Sequence, residues 1–169
     1  KISIISRGRA GGYTMKLPIE ENRLKTKTQF IAELATMMGG YASEQIVFKD
    51  ISTGASNDLQ EATSLSRRLV TKYGMSDAIG PMTFHNGEEA VFLGREITTE
   101  HRYSESVSSK IDSEVSNFLK SSFELAKKII TTRKKALDAI AKTLMEKETL
   151  EQEDFNALMK QFDLKPLAI

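Results

Sequence analysis

Imidazole and thiolate side chains, which are common metal ligands, are scarce in this 169-residue sequence. The chain has no cysteine, which excludes disulfides and thiolate metal sites. His85 and His101 are too far apart in sequence for the i, i+4 spacing that places two imidazoles on one helical face. The sequence therefore contains neither a complete metal site nor a nucleophile–base pair, and it has no Walker A motif for ATP.

One carboxylate, Asp58, stands in an unusual position in a predicted helix over residues 56–73. The residues at i+4, i+7 and i+11 from it are Ala62, Leu65 and Leu69, so Asp58 is predicted to project from the apolar face. A buried carboxylate needs a hydrogen-bonded cap, a cationic partner or a metal ion. A first-turn acid also caps a helix and favours its dipole. The spacing alone leaves both interpretations open and favours the cap.

The elements before this helix are predicted to be two short strands and a helix. Strands over residues 2–5 and 12–17 flank a glycine-rich loop and form a hairpin. Thr28 is the predicted N-cap of the helix, which Gly39-Gly40 interrupts. The glycine pair indicates close approach of another backbone, with a hinge as the alternative. Glu44, near the end of this helix, is either a second inward-facing acid or an exposed one.

The remaining sequence is predicted to be irregular and then helical. Gly74 ends the Asp58 helix in a left-handed conformation, and short strands are predicted over 82–84 and 90–93. From Ser104 a three–four apolar spacing continues as far as the break at Glu148-Thr149-Leu150, and a last short helix follows. The predicted fold class is mainly α, with a small N-terminal β-hairpin and a C-terminal helical bundle. The predicted division places the strands, the Gly-Gly helix, the Asp58 helix and the irregular segment at 1–103, and the bundle of the same domain at 104–169.

Composition narrows the class of protein. Hydrophobic residues make up 40% and charged residues 28%, which is typical of a soluble globular chain. The net charge of +1 provides no field that would recruit nucleic acid, and the basic cluster at 127–135 is interpreted as a solvated helix end. No apolar run approaches the ~20 residues that span a bilayer. The first residues, 1–5, alternate like a strand already in progress, which predicts a soluble fragment of a longer protein.

Seven segments, in order along the chain, carry recognisable motifs. Residues 52–59 read S-T-G-A-S-N-D-L, residues 1–10 begin K-I-S-I-I-S-R-G, and residues 39–44 read G-G-Y-A-S-E. The other segments are G-Y-T with L-P at 12–18, Y-G-M-S with G-P at 73–81, F-L-G at 92–94 and E-T-L at 148–150. They resemble motifs of the FtsH family of membrane-anchored, ATP-dependent zinc metalloproteases, among them S-T-G-A-x-N-D-L/I, K-V/I-S/T-I-I-P-R-G and G-G-R-x-A-E.

The resemblance implies a helical zinc endopeptidase. In that family two histidines and the general-base glutamate come from an H-E-A-G-H helix upstream of the first strand, and the third zinc ligand corresponds to Asp58. This chain would then contain no catalytic base, so alone it is expected to be inactive and to bind Zn²⁺ poorly. The edge formed by Gly12, Tyr13 and Thr14 is expected to bind an extended substrate chain as an added strand.

The resemblance also implies properties of a whole protein. ATP and Mg²⁺ would bind only an upstream AAA module, protein substrates would be degraded by a homo-hexamer, and other segments would anchor it in a membrane. The peptidase domain would face the cytoplasm in bacteria, or the matrix, intermembrane space or stroma in organelles. Ser6, Gly11 and Tyr41 depart from the family's usual Pro, Leu and Arg. The alternative function is a non-catalytic assembly or adaptor domain derived from the same fold.

Overall fold

The computed structural model is mainly helical, which confirms the predicted fold class. It describes residues 1–6, 8, 11–15, 24–84, 103–162 and 164. These residues contain six α-helices, one 3-10 helix and a three-stranded antiparallel sheet. They form two compact units, one spanning Thr26–Lys127 and the other combining Lys1–Lys25 with Lys128–Ile169. The functional division of the chain between residues 103 and 104 stays a prediction.

The larger unit is built from helices α1, α2 and α3 and most of α4. Their bounds are Lys27–Met37, Gly39–Val47, Ser56–Thr71 and Glu105–Thr132, and a 3-10 helix, Thr53–Ala55, directly precedes α3. The first helix begins at Thr26 and not at the predicted Thr28. Thr26 Oγ1 accepts from the Gln29 N–H, and the Gln29 side chain accepts from the Thr26 N–H. This reciprocal capping box satisfies two backbone donors, which Thr28 is not placed to do.

The glycine pair separates two helices. Helix α1 ends at its C-cap Met38, and α2 begins at Gly39. A Cβ built on Gly39 or Gly40 would meet no atom within 4 Å among the described residues. The predicted close approach of another backbone is therefore not found among the described residues.

Two apolar clusters hold the larger unit together. Helix α1 packs against α3, with the Phe30 and Tyr73 rings stacked at 5.5 Å between centroids. Helix α3 also contributes Val70 to a second cluster with Ile111 and Val115 of α4. Burying each such side chain fully contributes about 1.5–3 kcal/mol. Helix α3 is thus fixed by apolar contacts.

The segment after α3 is tied to α4 by a polar contact. Gly74 has a φ of 60°, as predicted, and turns the chain away from the helix. Ser76 is buried and donates a hydrogen bond from its hydroxyl to the Glu114 carboxylate. That bond, together with bonds from Asn117 and the Ala78 backbone, holds the pKa of Glu114 below its usual range. Residues 82–84 form no strand, contrary to prediction.

The smaller unit contains the sheet and the last two helices. Strands β1, β2 and β3 span Ile2–Ser3, Tyr13–Thr14 and Thr149–Leu150, and helices α5 and α6 span Lys134–Lys147 and Gln152–Lys160. The predicted hairpin is confirmed, with shorter strands than expected. The sheet order is β2-β1-β3, so the E-T-L segment adds an unpredicted strand beside β1.

A left-handed residue makes this third strand possible. Glu148 has a φ of 60° and ends α5, so the chain reverses directly into β3. Its carbonyl accepts from the Ile4 N–H at 3.0 Å. The hydroxyls of Ser3 and Thr149 lie 2.9 Å apart in a hydrogen bond across the two strands. The C-terminal segment therefore supports the N-terminal hairpin. Within the ranges described, no helix combines the length and the apolar character that crossing a membrane requires.

Candidate functional site

Asp58 lies in the first turn of α3, and its side chain is exposed. Ala62 and Leu65, further along the same face, are buried with 0% and 4% exposure. The expectation that the carboxylate would be buried is wrong: Asp58 is exposed, although Ala55 before it and Ala62 after it are buried.

The Asp58 carboxylate makes no hydrogen bond or ion pair with any other residue in the described ranges. The helical segment is capped by Ser52 instead, whose hydroxyl accepts from the Gly54 N–H at 3.1 Å. Asp58 thus does not serve as the capping acid. An exposed carboxylate without a partner among the described residues fits the needs of a metal ligand, since carboxylate oxygen is one of the donors that zinc accepts.

One carboxylate does not make a metal site. Nowhere in the described ranges do three His, Asp or Glu side chains gather closely enough to hold a metal ion. His85, His101 and the predicted strand over 90–93 lie outside those ranges. Asp58 and the other described side chains therefore do not form a metal site by themselves.

Glu44 is directed toward the segment that leads into Asp58. Its side chain on α2 is half-buried, and both carboxylate oxygens accept hydrogen bonds from Ser52. The distances are 2.7 Å from the Ser52 N–H and 3.0 Å from the Ser52 hydroxyl. This contact resolves the two alternatives left open by the sequence: Glu44 is neither an inward acid in the core nor a fully solvated one. The sequence signal for a cap at this position is the serine before Thr-Gly, since serine is a typical N-cap residue.

Tyr41, which replaces the arginine of the resembling motif, takes part in an aromatic contact. Its ring meets Phe123 edge-on at 5.4 Å between centroids. Lys127 Nζ lies 5.2 Å from the centroid of that same Phe123 ring. Tyr41 therefore contributes packing, and the Glu44 carboxylate takes its hydrogen bonds from neutral donors on Ser52.

The residues predicted to bind substrate lie in and beside strand β2 of the smaller unit. A Cβ on Gly12 would lie 2.6 Å from the Ser3 carbonyl oxygen, so only glycine allows the two backbones to approach this closely. Tyr13 is opposite Ser3, and Thr14 is opposite Ile2. Gly12 thus has a structural role in strand pairing whatever else it does.

The pairing register determines which backbone groups of β2 face outward. The Met15 N–H donates to the Lys1 carbonyl at 2.8 Å, and the Lys1 amino group donates to the Met15 carbonyl at 3.1 Å. Hydrogen-bonded and non-hydrogen-bonded pairs alternate along an antiparallel ladder, so the neighbouring pair, Ile2 with Thr14, is non-hydrogen-bonded. The N–H and C=O of Thr14 therefore point to the outer edge, where none of the described strands pairs with β2.

The basic cluster over 127–135 carries local ion pairs. Lys127 Nζ lies 3.2 Å from a Glu124 carboxylate oxygen, and Lys134 Nζ lies 2.8 Å from one of Asp138. The first is an i, i+3 pair and the second an i, i+4 pair, and such pairs on a helix surface stabilise the helix modestly. These contacts favour the interpretation of the cluster as part of a solvated helix surface.

Comparison with known proteins agrees with the family resemblance of the sequence. Residues 1–158 match the family described as peptidase family M41. The chain is 45% identical over 158 residues to ATP-dependent zinc metalloprotease FtsH 2 of Alkaliphilus metalliredigens, covering 94% of this chain and 23% of that protein. It is 45% identical over 161 residues to FtsH 1 of Thermomicrobium roseum, covering 95% and 25%. It is 44% identical over 168 residues to FtsH of Endomicrobium trichonymphae, covering 99% and 27%. The chain thus spans about a quarter of the length of these curated relatives.

Proposed function

The chain belongs to peptidase family M41, and from that premise we propose that it is the peptidase part of an ATP-dependent zinc metalloendopeptidase. Asp58 is the zinc ligand that this chain supplies. The observation that carries the proposal is the exposed Asp58 carboxylate at the start of α3, which makes no bond to any other described residue. Two histidines from an upstream H-E-x-x-H helix complete the ligand set, and the glutamate of that helix is the general base.

Such a ligand set suits peptide hydrolysis. Zinc with three protein ligands keeps a fourth position for water and lowers the pKa of that water toward neutrality. The part of Asp58 is to supply a negatively charged oxygen from a helix whose apolar face is buried, so that the ligand is held on a rigid element. This chain alone supplies no general base, and without the upstream helix it is inactive.

The outer edge of β2 is the proposed contact for an extended substrate. The outward N–H and C=O of Thr14 can form two hydrogen bonds with an added strand. Gly12 allows β2 to pair closely with β1, and Tyr13 flanks the edge residue. Recognition through main-chain groups suits an enzyme that degrades many protein substrates, because every substrate backbone offers the same donors and acceptors.

The other properties of the whole protein belong to segments outside this chain. The relatives are named as ATP-dependent proteases, and we infer that an upstream AAA module uses ATP and Mg²⁺ to unfold substrates. A homo-hexamer, anchored in a membrane through segments elsewhere, would deliver them to the peptidase domain. That domain faces the cytoplasm in a bacterium, or the matrix, intermembrane space or stroma in an organelle.

Metal removal tests the proposed function. In the full-length protein that contains this chain, casein cleavage should be lost when zinc is stripped with 1,10-phenanthroline and restored by added Zn²⁺. The non-chelating isomer 1,7-phenanthroline is the control. Cleavage that survives removal of zinc would contradict the proposal. A protein that neither cleaves nor binds zinc, and whose upstream sequence lacks H-E-x-x-H, would instead be the non-catalytic adaptor.

Substituting Thr14 with Pro tests the substrate edge. Proline removes the outward N–H and leaves the Lys1–Met15 hydrogen bonds in place. We expect KM for casein to rise about two- to tenfold, as the loss of one hydrogen bond predicts, with kcat little changed. Thr14→Val, which keeps the N–H, is the matched control. Equal KM values for the two variants would show that this edge does not bind substrate.

A further inference from the structure

The Glu44 carboxylate ties the last turn of α2 to the residue that starts the Asp58 helical segment. One oxygen accepts from the Ser52 N–H and the other from the Ser52 hydroxyl. The same hydroxyl accepts from the Gly54 N–H at 3.1 Å. Three hydrogen bonds therefore link Glu44, Ser52 and Gly54 in what we call the Glu44 clamp.

The contact between Glu44 and Ser52 leaves little space for a side chain at residue 54. A Cβ at residue 54 would lie 3.2 Å from Ser52 Oγ and 3.3 Å from Glu44 Oε1. Either neighbour would have to shift by a few tenths of an ångström to accept it. The residue types at 44, 52 and 54 are thus matched to one another: a carboxylate, a short hydroxyl and no side chain.

The Glu44 clamp fixes where the helical segment begins. Ser52 is the N-cap of the 3-10 helix, and Ser56 is both the C-cap of that helix and the first residue of α3. Because no loop interrupts the segment, the position of Ser52 influences the angle at which Asp58 leaves the helix. The Asp58 carboxylate makes no hydrogen bond or ion pair with the described residues, so they position it only through the backbone of its helix.

The connection from α2 to Ser52 offers little other support. Residues 47–52 are all exposed, and Lys49 has a φ of 59°, a strained conformation for a residue other than glycine. Apart from Glu44, the anchor at this end of the segment is Ala55, which is 4% exposed. Loss of the clamp would leave the first turn, with Asp58, free to fray.

We propose that Glu44 and Ser52 are positioning residues that hold Asp58 in the orientation needed to bind zinc. The inference rests on the proposed function of Asp58 as a metal ligand. Glu44 would act through the backbone of the S-T-G segment, because both of its oxygens accept hydrogen bonds from Ser52. Groups that orient metal ligands affect affinity almost as strongly as some ligands do.

The test is zinc affinity of the full-length protein, measured by competition with a chromophoric chelator. Glu44→Ala removes the clamp and should weaken zinc binding roughly 10- to 100-fold. Glu44→Gln keeps an acceptor for the Ser52 N–H and a donor for its hydroxyl, so its affinity should stay within about threefold of wild type. Glu61→Gln, which neutralises an exposed carboxylate on α3, is the matched control and should leave affinity unchanged.

A second readout separates positioning from general destabilisation. The Co²⁺-substituted protein should show altered visible absorption bands in Glu44→Ala and wild-type bands in Glu44→Gln, because those bands report the geometry of the ligands. Gly54→Ala crowds the clamp from the other side and should change affinity and spectrum in the same direction as Glu44→Ala. Gly54→Ala provides the test if Glu44→Ala does not fold.

The outcomes distinguish the two proposals. Wild-type affinity and spectrum in both Glu44→Ala and Gly54→Ala would overturn the positioning role. Equal losses in Glu44→Gln and Glu44→Ala would also overturn it and would make Glu44 a charge-dependent ligand. If Asp58→Asn abolishes zinc binding while the clamp variants bind normally, only this inference fails. If Asp58→Asn binds zinc normally, both the proposed function of Asp58 and this inference fail.

Discussion

We expect replacement of Asp58 by Asn to abolish casein proteolysis by the full-length protein while ATP hydrolysis continues. The amide preserves the shape of the side chain but removes the negatively charged oxygen that zinc binds. Changes outside the immediate ligands already cost about 10- to 100-fold, so loss of a ligand should lower kcat/KM by more than about 100-fold. ATP hydrolysis depends on a separate module and should change little. Casein cleavage and phosphate release, measured on the same preparation, provide the check.

The position of Asp58 makes this substitution unusually easy to interpret. Its side chain is exposed and makes no bond to another described residue, so Asn should cost the fold no more than the first-turn helix-dipole contribution, about 0.3–1 kcal/mol. Glu61→Gln removes a carboxylate one turn further along the same helix and should cleave casein normally. Proteolysis retained in Asp58→Asn would show that Asp58 is not the ligand.

The second large effect is expected from Leu34→Ala in the core of the larger unit. Leu34 is 0% exposed on α1, the helix that packs against α3. Removing a fully buried leucine side chain loses its transfer free energy and leaves a cavity, at a cost of about 2–5 kcal/mol. Because α3 also carries Asp58, the unfolding that follows should release zinc at a lower denaturant concentration. Chemical denaturation followed by circular dichroism, with zinc release monitored in parallel, measures both.

A matched leucine at the surface provides the control. Leu24 is 88% exposed, and Leu24→Ala should change the free energy of unfolding by no more than about 0.5 kcal/mol. A Leu34→Ala variant that loses less than about 1 kcal/mol would mean that the core around α1 and α3 refills the cavity. Comparison of the two variants separates burial from a general effect of losing a leucine.

Local sequence determined most of the helices, since each is encoded by residues within a few turns. The three–four spacing predicted the long helix after Ser104, and Gly74 marked the end of α3 with the left-handed φ of 60° that is found. The capping box shows the limit of such patterns. Thr26 and Thr28 are both acceptable N-caps by residue type. Thr26 is the N-cap because Gln29, three residues beyond it, completes the capping box.

Contacts between residues distant in sequence were decided only in three dimensions. The strand Thr149–Leu150 is too short to carry an alternating pattern, and it forms because β1 lies beside it. Glu44 had no evident partner in the sequence, and Ser52 became its partner when α2 and the 3-10 helix met. Gly39-Gly40 suggested a close packing site, and the fold instead uses the pair to begin a helix.

Asp58 shows both sides of this division. The sequence placed it in the first turn of a helix, and the motif around it indicated zinc chemistry by resemblance, since spacing alone favoured a cap. Tertiary structure decided its environment: the carboxylate is exposed and without a described partner, although Ala62, one turn further along the helix, is buried. The reason is physical. Helical periodicity predicts which residues lie on the same face of a helix. How far along that face the residues are buried depends on the packing of other elements.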